Sequence, residues 1–319
     1  MSSNFYFSHS NINDFEKLCE FNEGFEIEFK QLEKGNFSSE TLTFADKNMF
    51  FSTANIERRM RINGASTKGL ISFGLMSSLK SSLYWRNIDI DANKLFVFPE
   101  SREFYSISSS NFDILSFSLS EEKLNQVCES FELFNIKSLI NSHEVFLCEP
   151  QIIGELRHYL LSIKFKLMFE GENYQNSFFL REMEQELASR IVCLLAKNQT
   201  SIHRKKIRKR DLAIKVVETY VSESKEKVIS VADLCNVACI SERALEYAFK
   251  ERYKMTPKAF LLNHKLNNVN KQLRLADPES TFVYEIAQQH GFWHMGQFSA
   301  DYKKLFGNSP STVLGLRCS

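Results

Sequence analysis

The stretch that decides the fold is Gly291-Phe292-Trp293-His294-Met295-Gly296-Gln297-Phe298, continued by Tyr302-Lys303-Lys304-Leu305-Phe306-Gly307-Asn308-Ser309-Pro310. Its pattern occurs earlier as Ser241-Glu242-Arg243-Ala244-Leu245, Phe249-Lys250-Glu251-Arg252-Tyr253 and Thr256-Pro257. Leu245 and Phe298, Phe249 and Tyr302, and Pro257 and Pro310 each lie 53 residues apart, whereas Cys235 and Ala287 lie 52 apart. A fixed offset between chemically matched positions marks two copies of one supersecondary unit, with one residue added inside the second.

Each copy reads as a helix-turn-helix. Val231, Leu234, Ala238 and Leu245 fall at helical spacing, and Cys235 or Ala287 supplies a small side chain where two helices cross. The turn falls at Cys239 and Gly291; glycine suits the positive φ expected there, and Cys239 departs from it. Ser241 is placed to cap the second helix. Leu245 and Phe249, like Phe298 and Tyr302, should face inward. That leaves Glu242, Arg243, Glu246, Tyr247, His294, Met295 and Gln297 as candidates to read base edges in double-stranded DNA. Ser241, Lys250, Trp293, Lys303 and Lys304 are phosphate candidates, joined by Arg208, Lys209 and Arg210 of the basic run Arg204–Arg210. That run also reads as a solvated linker. Between the copies Pro257 to Leu275 is one amphipathic helix, with Phe260, Leu261, Leu266, Val269 and Leu273 apolar, able to hold two readers apart.

Leu212 to Arg317 resembles the AraC/XylS-type DNA-binding domain, most closely over Gly291–Phe298 and Tyr302–Ser311. The resemblance implies a seven-helix bipartite domain with recognition helices starting near Ser241 and Trp293. Lys254, where the family has glycine before Thr256-Pro257, and Cys239 at the turn are the departures.

Net charge is only +1, but it is unevenly placed. Residues 201–319 carry 20 Lys and Arg against 12 Asp and Glu; the first 200 carry 20 against 27. An acidic first part joined to a basic last part fits a regulatory domain followed by a DNA-binding one. Seven cysteines without paired spacing suit a reducing compartment, and Cys235 with Cys239 reads as packing rather than a metal or redox pair. No amino-terminal export pattern and no window of eighteen apolar residues is present, so a cytoplasmic protein without a membrane partner is expected.

Residues 1–135 read as a β-rich regulatory domain. Short strands are expected at Phe25–Lys30, Glu40–Ala45, Met49–Thr53, Gly69–Met76, Lys94–Phe98 and Ile114–Leu119, which suggests a β-barrel or a sandwich. Phe44, Phe50, Phe51, Phe73, Phe96 and Phe98 either fill a core or line a cavity. Arg58, Arg59 and Arg61 read as a surface charge cluster, with pairing to an anionic ligand as the alternative. Leu95–Pro99 and the passage Ile114–Leu124 resemble the cupin-like amino-terminal domains of AraC-type regulators, which implies a β-barrel and a small effector. Residues 136–200 read as helical, and Leu180, Met183, Leu187, Ile191 and Leu194 form a heptad seam that either makes a homodimer or packs on the barrel. Residues 201–210 are the basic linker and 211–319 the DNA-binding domain. The fold expected is α+β: a cupin-like barrel with a helical segment, then an all-α domain.

Together these features predict a sequence-specific transcription regulator, an activator by family habit with RNA polymerase as partner, controlled by a small effector. Control by a protein partner or by abundance is the alternative. A cupin-type metalloenzyme is the third reading. His9, His143 and His158 are the histidines ahead of the DNA-binding region and form no His-x-His pair, so neither catalysis nor a cofactor is expected.

Overall fold

The computed structural model describes residues 6–21, 25–66, 69–98, 103–140, 143–170, 177–197, 208–224 and 229–315. The chain divides into two compact units, Met1–Phe29 with Ser38–Lys205, and Lys30–Phe37 with Lys206–Ser319. Among the described residues no helix is long and apolar enough to cross a membrane.

The first unit runs through β1 (Tyr6–Ile12), β2 (Phe25–Gln31), β3 (Ser39–Ala45), β4 (Met49–Ile56), β5 (Met60–Ser66), β6 (Leu70–Met76), β7 (Leu83–Trp85), β8 (Ile88–Ile90), β9 (Lys94–Val97), β10 (Glu103–Ser108) and β11 (Phe112–Ser120). It closes with α1 (Glu121–Ser130), α2 (Ile136–Ile140), β12 (Val145–Leu147), α3 (Pro150–Glu170) and α4 (Ser177–Lys197). The strands form two sheets, ordered β1-β3-β4-β11-β6-β9-β12 and β2-β5-β10-β7-β8. The expected cupin-like region thus takes the form of two sheets, and among the described residues no ladder closes them into a barrel.

Side chains alternate along the larger sheet as the pleat requires. Leu42 and Phe44, Phe51, Phe73, and Leu115 and Phe117 belong to the core shared with α1, α3 and α4. Thr41 and Thr43, Ser52 and Ala54, and Ile114 and Ser116 point to the other side and line a cavity. Of the six phenylalanines weighed as cavity-lining, Phe96 and Phe98 line it. Phe44, Phe51 and Phe73 lie in the core against the helices. The helices also correct the dimer seam. Met183, Leu187, Ile191 and Leu194 are buried in that same core and Leu180 packs against it, because the larger sheet offers an apolar face that α4 must cover. The exposed large apolar side chains of α3 and α4 are instead Phe165, Phe169 and Phe178.

The second unit holds seven helices among its described residues: α5 (Lys209–Glu223), α6 (Val231–Ala238), α7 (Glu242–Tyr253), α8 (Pro257–Leu275), α9 (Val283–Gln289), α10 (Met295–Phe306) and α11 (Pro310–Gly315). Thr256 caps α8, accepting from the Ala259 N–H at 3.2 Å, and Pro257 starts it. Phe260, Leu261, Leu266, Val269 and Leu273 are buried as the amphipathic pattern requires.

Asn263, Asn267 and Asn270 are buried on α8 as well. The first two receive the connector between β2 and β3. The Asn267 side chain accepts from the Gln31 backbone N–H at 2.9 Å and donates to the Gln31 carbonyl at 3.0 Å. Asn263 donates to the Leu32 carbonyl at 3.4 Å, and Gly35 N–H donates to the Leu305 carbonyl at 3.0 Å. The buried Gln31 amide nitrogen lies 2.7 Å from each of the Glu33, Gly35 and Leu305 carbonyl oxygens, which share its two N–H groups. Residues 30–37 thus lie as a strap along α8 and the end of α10. Asn267→Ala, which strands two buried backbone groups, should lower stability by about 2 kcal/mol in denaturant unfolding; an unchanged midpoint would show that the strap does not hold.

Candidate nucleic-acid interface

The two copies close their first helices with matching backbone bonds. Cys239 ends α6 with φ 52°, and Gly291 follows α9 with φ 78°. Cys239 N–H donates to the Asn236 carbonyl at 3.2 Å and Gly291 N–H to Gln288 at 2.9 Å. Ile240 N–H reaches Cys235 at 3.2 Å, as Phe292 N–H reaches Ala287 at 3.0 Å. These bonds run at an offset of 52, while α7 and α10 begin and end at an offset of 53. The added residue is therefore Trp293. It lies in the turn ahead of α10, 68% exposed, with His294 at the N-cap and the second helix starting at Met295.

Both second helices are anchored by aromatic side chains. Phe249 and Tyr253 pack with Phe260, ring centroids 5.1 and 4.7 Å away. Tyr302 and Phe306 pack at 4.7 Å. The Tyr253 hydroxyl donates to Glu218 on α5, and the Tyr302 hydroxyl to Asn270 on α8 at 2.6 Å. Lys254 and Gly307 occupy matched C-caps with φ 56° and 82°. At Gly307 the positive φ favours glycine, and an added Cβ would also displace the Asn36 side chain of the strap. Lys254 carries a side chain in the left-handed region, at a cost that glycine would avoid.

Ser241, Glu242, Arg243, Tyr247, Lys250, Trp293, His294, Gln297, Lys303 and Lys304 are exposed; Glu246 and Met295 are half-buried. The Arg243 guanidinium lies 6.0 Å from the Tyr247 ring centroid, and the Gln297 amide donates to Asp301 at 2.9 Å. Lys250 is 3.8 Å from Glu246, whereas Lys303 and Lys304 have no acidic partner among the described residues. In the basic run, 204–207 lie outside the described residues. Arg208 and Arg210 are engaged within the unit: Arg208 with Asp211 and Glu251 at 2.9 Å, Arg210 with Glu251 at 3.1 Å. Arg252, buried, reaches Asp211 at 2.8 Å. Burial alone would raise the Asp211 carboxyl, but hydrogen bonds from Arg208 and Arg252 hold it below its ordinary value. This ion-pair cluster joins the start of α5 to the end of α7.

Sequence reasoning named Gln297 and Lys303 on α10 but missed the small residues beside them. Applying the 53-residue offset to Arg243, Glu246 and Tyr247 gives Gly296, Ser299 and Ala300, all exposed and all small. The signal was available in the repeat itself. At these three positions one reader presents long side chains and the other presents small ones. A Cβ added at Gly296 would meet nothing within 4 Å, so nothing inside the protein demands glycine there.

A family model described as "Helix-turn-helix domain" matches residues 234–315. The carboxy-terminal domain is an AraC-type helix-turn-helix domain. Its relatives include the XylDLEGF operon transcriptional activator 1 of Pseudomonas putida, 31% identical over 133 residues, covering 41% of this chain and 39% of that protein. The probable thc operon regulatory protein of Rhodococcus erythropolis is 34% identical over 101 residues, 32% of this chain and 30% of that protein. The match thus spans two fifths or less of these relatives. Among solved structures, the AraC-like transcriptional activator CuxR aligns over 97% of this chain and all of its own, with 10% identity and a TM-score of 0.43. A probable AraC family regulator from Rhodopseudomonas palustris covers 32% of this chain and 94% of its own at 30% identity, TM-score 0.30. The AraC-type relatives are regulators, not enzymes.

Two substitutions test the interface geometry. Lys254→Gly should raise stability by about 0.5–1 kcal/mol, the left-handed penalty less glycine's own entropy cost. Gly296→Ala should also stabilise, by about 0.5–1 kcal/mol of helix propensity. It should nonetheless weaken DNA binding if backbone approach at Gly296 is used; unchanged DNA affinity would remove Gly296 from the interface.

Proposed function

We propose that the chain is a sequence-specific DNA-binding transcription regulator of AraC type whose two readers enter successive major grooves of one duplex. The observation that carries this is the matched pair of turns and second helices, held on the single helix α8. Arg243, Glu246 and Tyr247 supply the longer reach to base edges in the first reader, with Glu242 beside them. The second reader offers His294, Met295 and Gln297 around a small face formed by Gly296, Ser299 and Ala300, suited to close approach and to contact with a thymine methyl. Ser241, Lys250, Trp293, Lys303 and Lys304 serve the phosphates; Lys209 belongs with them. Arg208 and Arg210, already paired with acids, contribute less.

Activation is the direction favoured, since relatives are named as operon activators. RNA polymerase contact and a homodimer complete that reading. Control through a small effector in the first unit is supported by its cavity and by the path of the chain. Ile27, Phe29, Thr41 and Thr43 line the cavity. The residues between them in sequence, 30–37, belong to the second unit. Movement of β2 or β3 around a ligand is therefore transmitted by covalent continuity to the strap on α8 and α10, and an effector that favours one strap position biases the readers.

The test is binding of mixed-sequence duplex DNA by the full chain across a salt series. Affinity should fall steeply with salt, and Lys303→Ala and Lys304→Ala should each reduce the slope of log affinity against log salt by about 1. Salt-independent binding, or slopes unchanged by both substitutions, would contradict the assignment.

A further inference from the structure

The ends of the two second helices are held by different means. At the end of α7, Glu251 pairs with Arg208 and Arg210, and Arg252 pairs with Asp211, so α7 is fastened to the start of α5. The residues 53 later are Lys304 and Leu305, which cannot make those pairs. The last carbonyls of a helix have no partner within it, and their donors must come from elsewhere. On α10 the Gly307 N–H serves the Lys303 carbonyl at 2.8 Å. The Leu305 carbonyl is served by the strap, through the Gly35 N–H at 3.0 Å and the Gln31 side-chain amide at 2.7 Å.

The turn after α10 also has a socket that the turn after α7 lacks. A Cβ at Gly307 would fall on the Asn36 amide, so the Asn36 side chain occupies space that any residue but glycine would fill. Lys254, at the matched position, carries a Cβ. Gln31 is fixed in orientation as well as place. It is fully buried, and its amide nitrogen faces the Glu33, Gly35 and Leu305 carbonyls; turned over, the amide would aim its oxygen at all three. Its backbone N–H and carbonyl are both taken by the Asn267 side chain of α8. One residue is therefore bonded to α8 through its main chain and to α10 through its side chain.

We propose that Gln31 is a positioning residue for the second reader: it fixes the end of α10 against α8, and the strap thereby governs how that reader alone meets DNA. This rests on the reading of the chain as a bipartite DNA-binding regulator and says which half of the site is conditional. The first reader has its own fastening on α5. Helix α10 has 12 residues and is about 18 Å long, so a tilt of about 5° at its held end moves Met295 by about 1.5 Å, enough to break a hydrogen bond to a base edge. A displacement of the strap reaches the block of the site read by α10 and leaves the block read by α7 as it was.

The test uses the full-length chain and its Gln31→Met variant, which keeps the side-chain length and removes the amide. Random duplex DNA is selected with the unaltered chain, and the first reader's block is identified as the one that Arg243→Ala blurs. Scrambling the other block should weaken the unaltered chain at least about tenfold and Gln31→Met by about threefold or less. Scrambling the first reader's block should weaken both proteins by the same factor. A variant that was merely less stable would lose active protein and keep both factors, so unchanged factors at both blocks overturn the proposal. An equal loss of response at both blocks overturns it too. Asn36→Ala, which empties the socket and leaves Gln31, Asn263 and Asn267 in place, is read in the same way and decides the matter if Gln31→Met does not fold. An unaltered chain that recovers no second block overturns the bipartite reading and this inference with it. Two blocks from the unaltered chain, with no selective loss in either variant, overturn this inference alone.

Discussion

Helix α8 is the constraint on which the second unit depends. It has 19 residues and so spans about 28 Å. Near its start Phe260 locks the first reader through Phe249 and Tyr253; toward its end Asn270 holds the second through the Tyr302 hydroxyl. Because one continuous helix carries both, their separation is set before DNA is met, and little ordering is left to be done on binding. The strap adds a third attachment on the same helix, through Asn263 and Asn267.

The first unit is organised by a division of labour across one sheet. On β3, β4 and β11 Leu42, Phe44, Phe51, Leu115 and Phe117 face the helices, while Thr41, Thr43, Ser52, Ala54 and Ser116 face the cavity. The cavity exists because Thr41, Thr43, Ser52, Ala54 and Ser116 are too short to fill the gap. Gly74 belongs to the same economy of space: a Cβ there would overlap the Phe96 ring, which closes part of the cavity wall. A site built this way is shaped by what is missing from one face.

Much of this was legible in the sequence where the signal is local or repeated. The limits of α4 and α8 follow from periodicity and capping residues, and the two helix-turn-helix copies from an offset that chance does not produce. Several strands were also readable, but β5, β10 and the short β7 and β8 were not, because Asn63-Gly64 and the serines of β10 break the alternation that marks a half-buried strand. The heptad on α4 was read correctly as an apolar stripe, yet a stripe does not say what covers it; here the sheet does. Sheet closure is a long-range property with no local signature. The buried asparagines of α8 look like surface residues until the strap, more than 200 residues earlier, is brought against them. The unequal readers could have been seen, since Arg243, Glu246 and Tyr247 align with Gly296, Ser299 and Ala300 by arithmetic alone.

The most direct test of the bipartite, unequal reader is selection of random duplex DNA by the full-length protein, followed by the same selection with Arg243→Ala. The recovered sites should contain two blocks whose centres lie about 10–10.5 base pairs apart. One block should be sharply defined and the other more permissive, and Arg243→Ala should blur only the sharp one. A single block, two blocks at variable spacing, or an Arg243→Ala variant that selects the same sites would contradict the account.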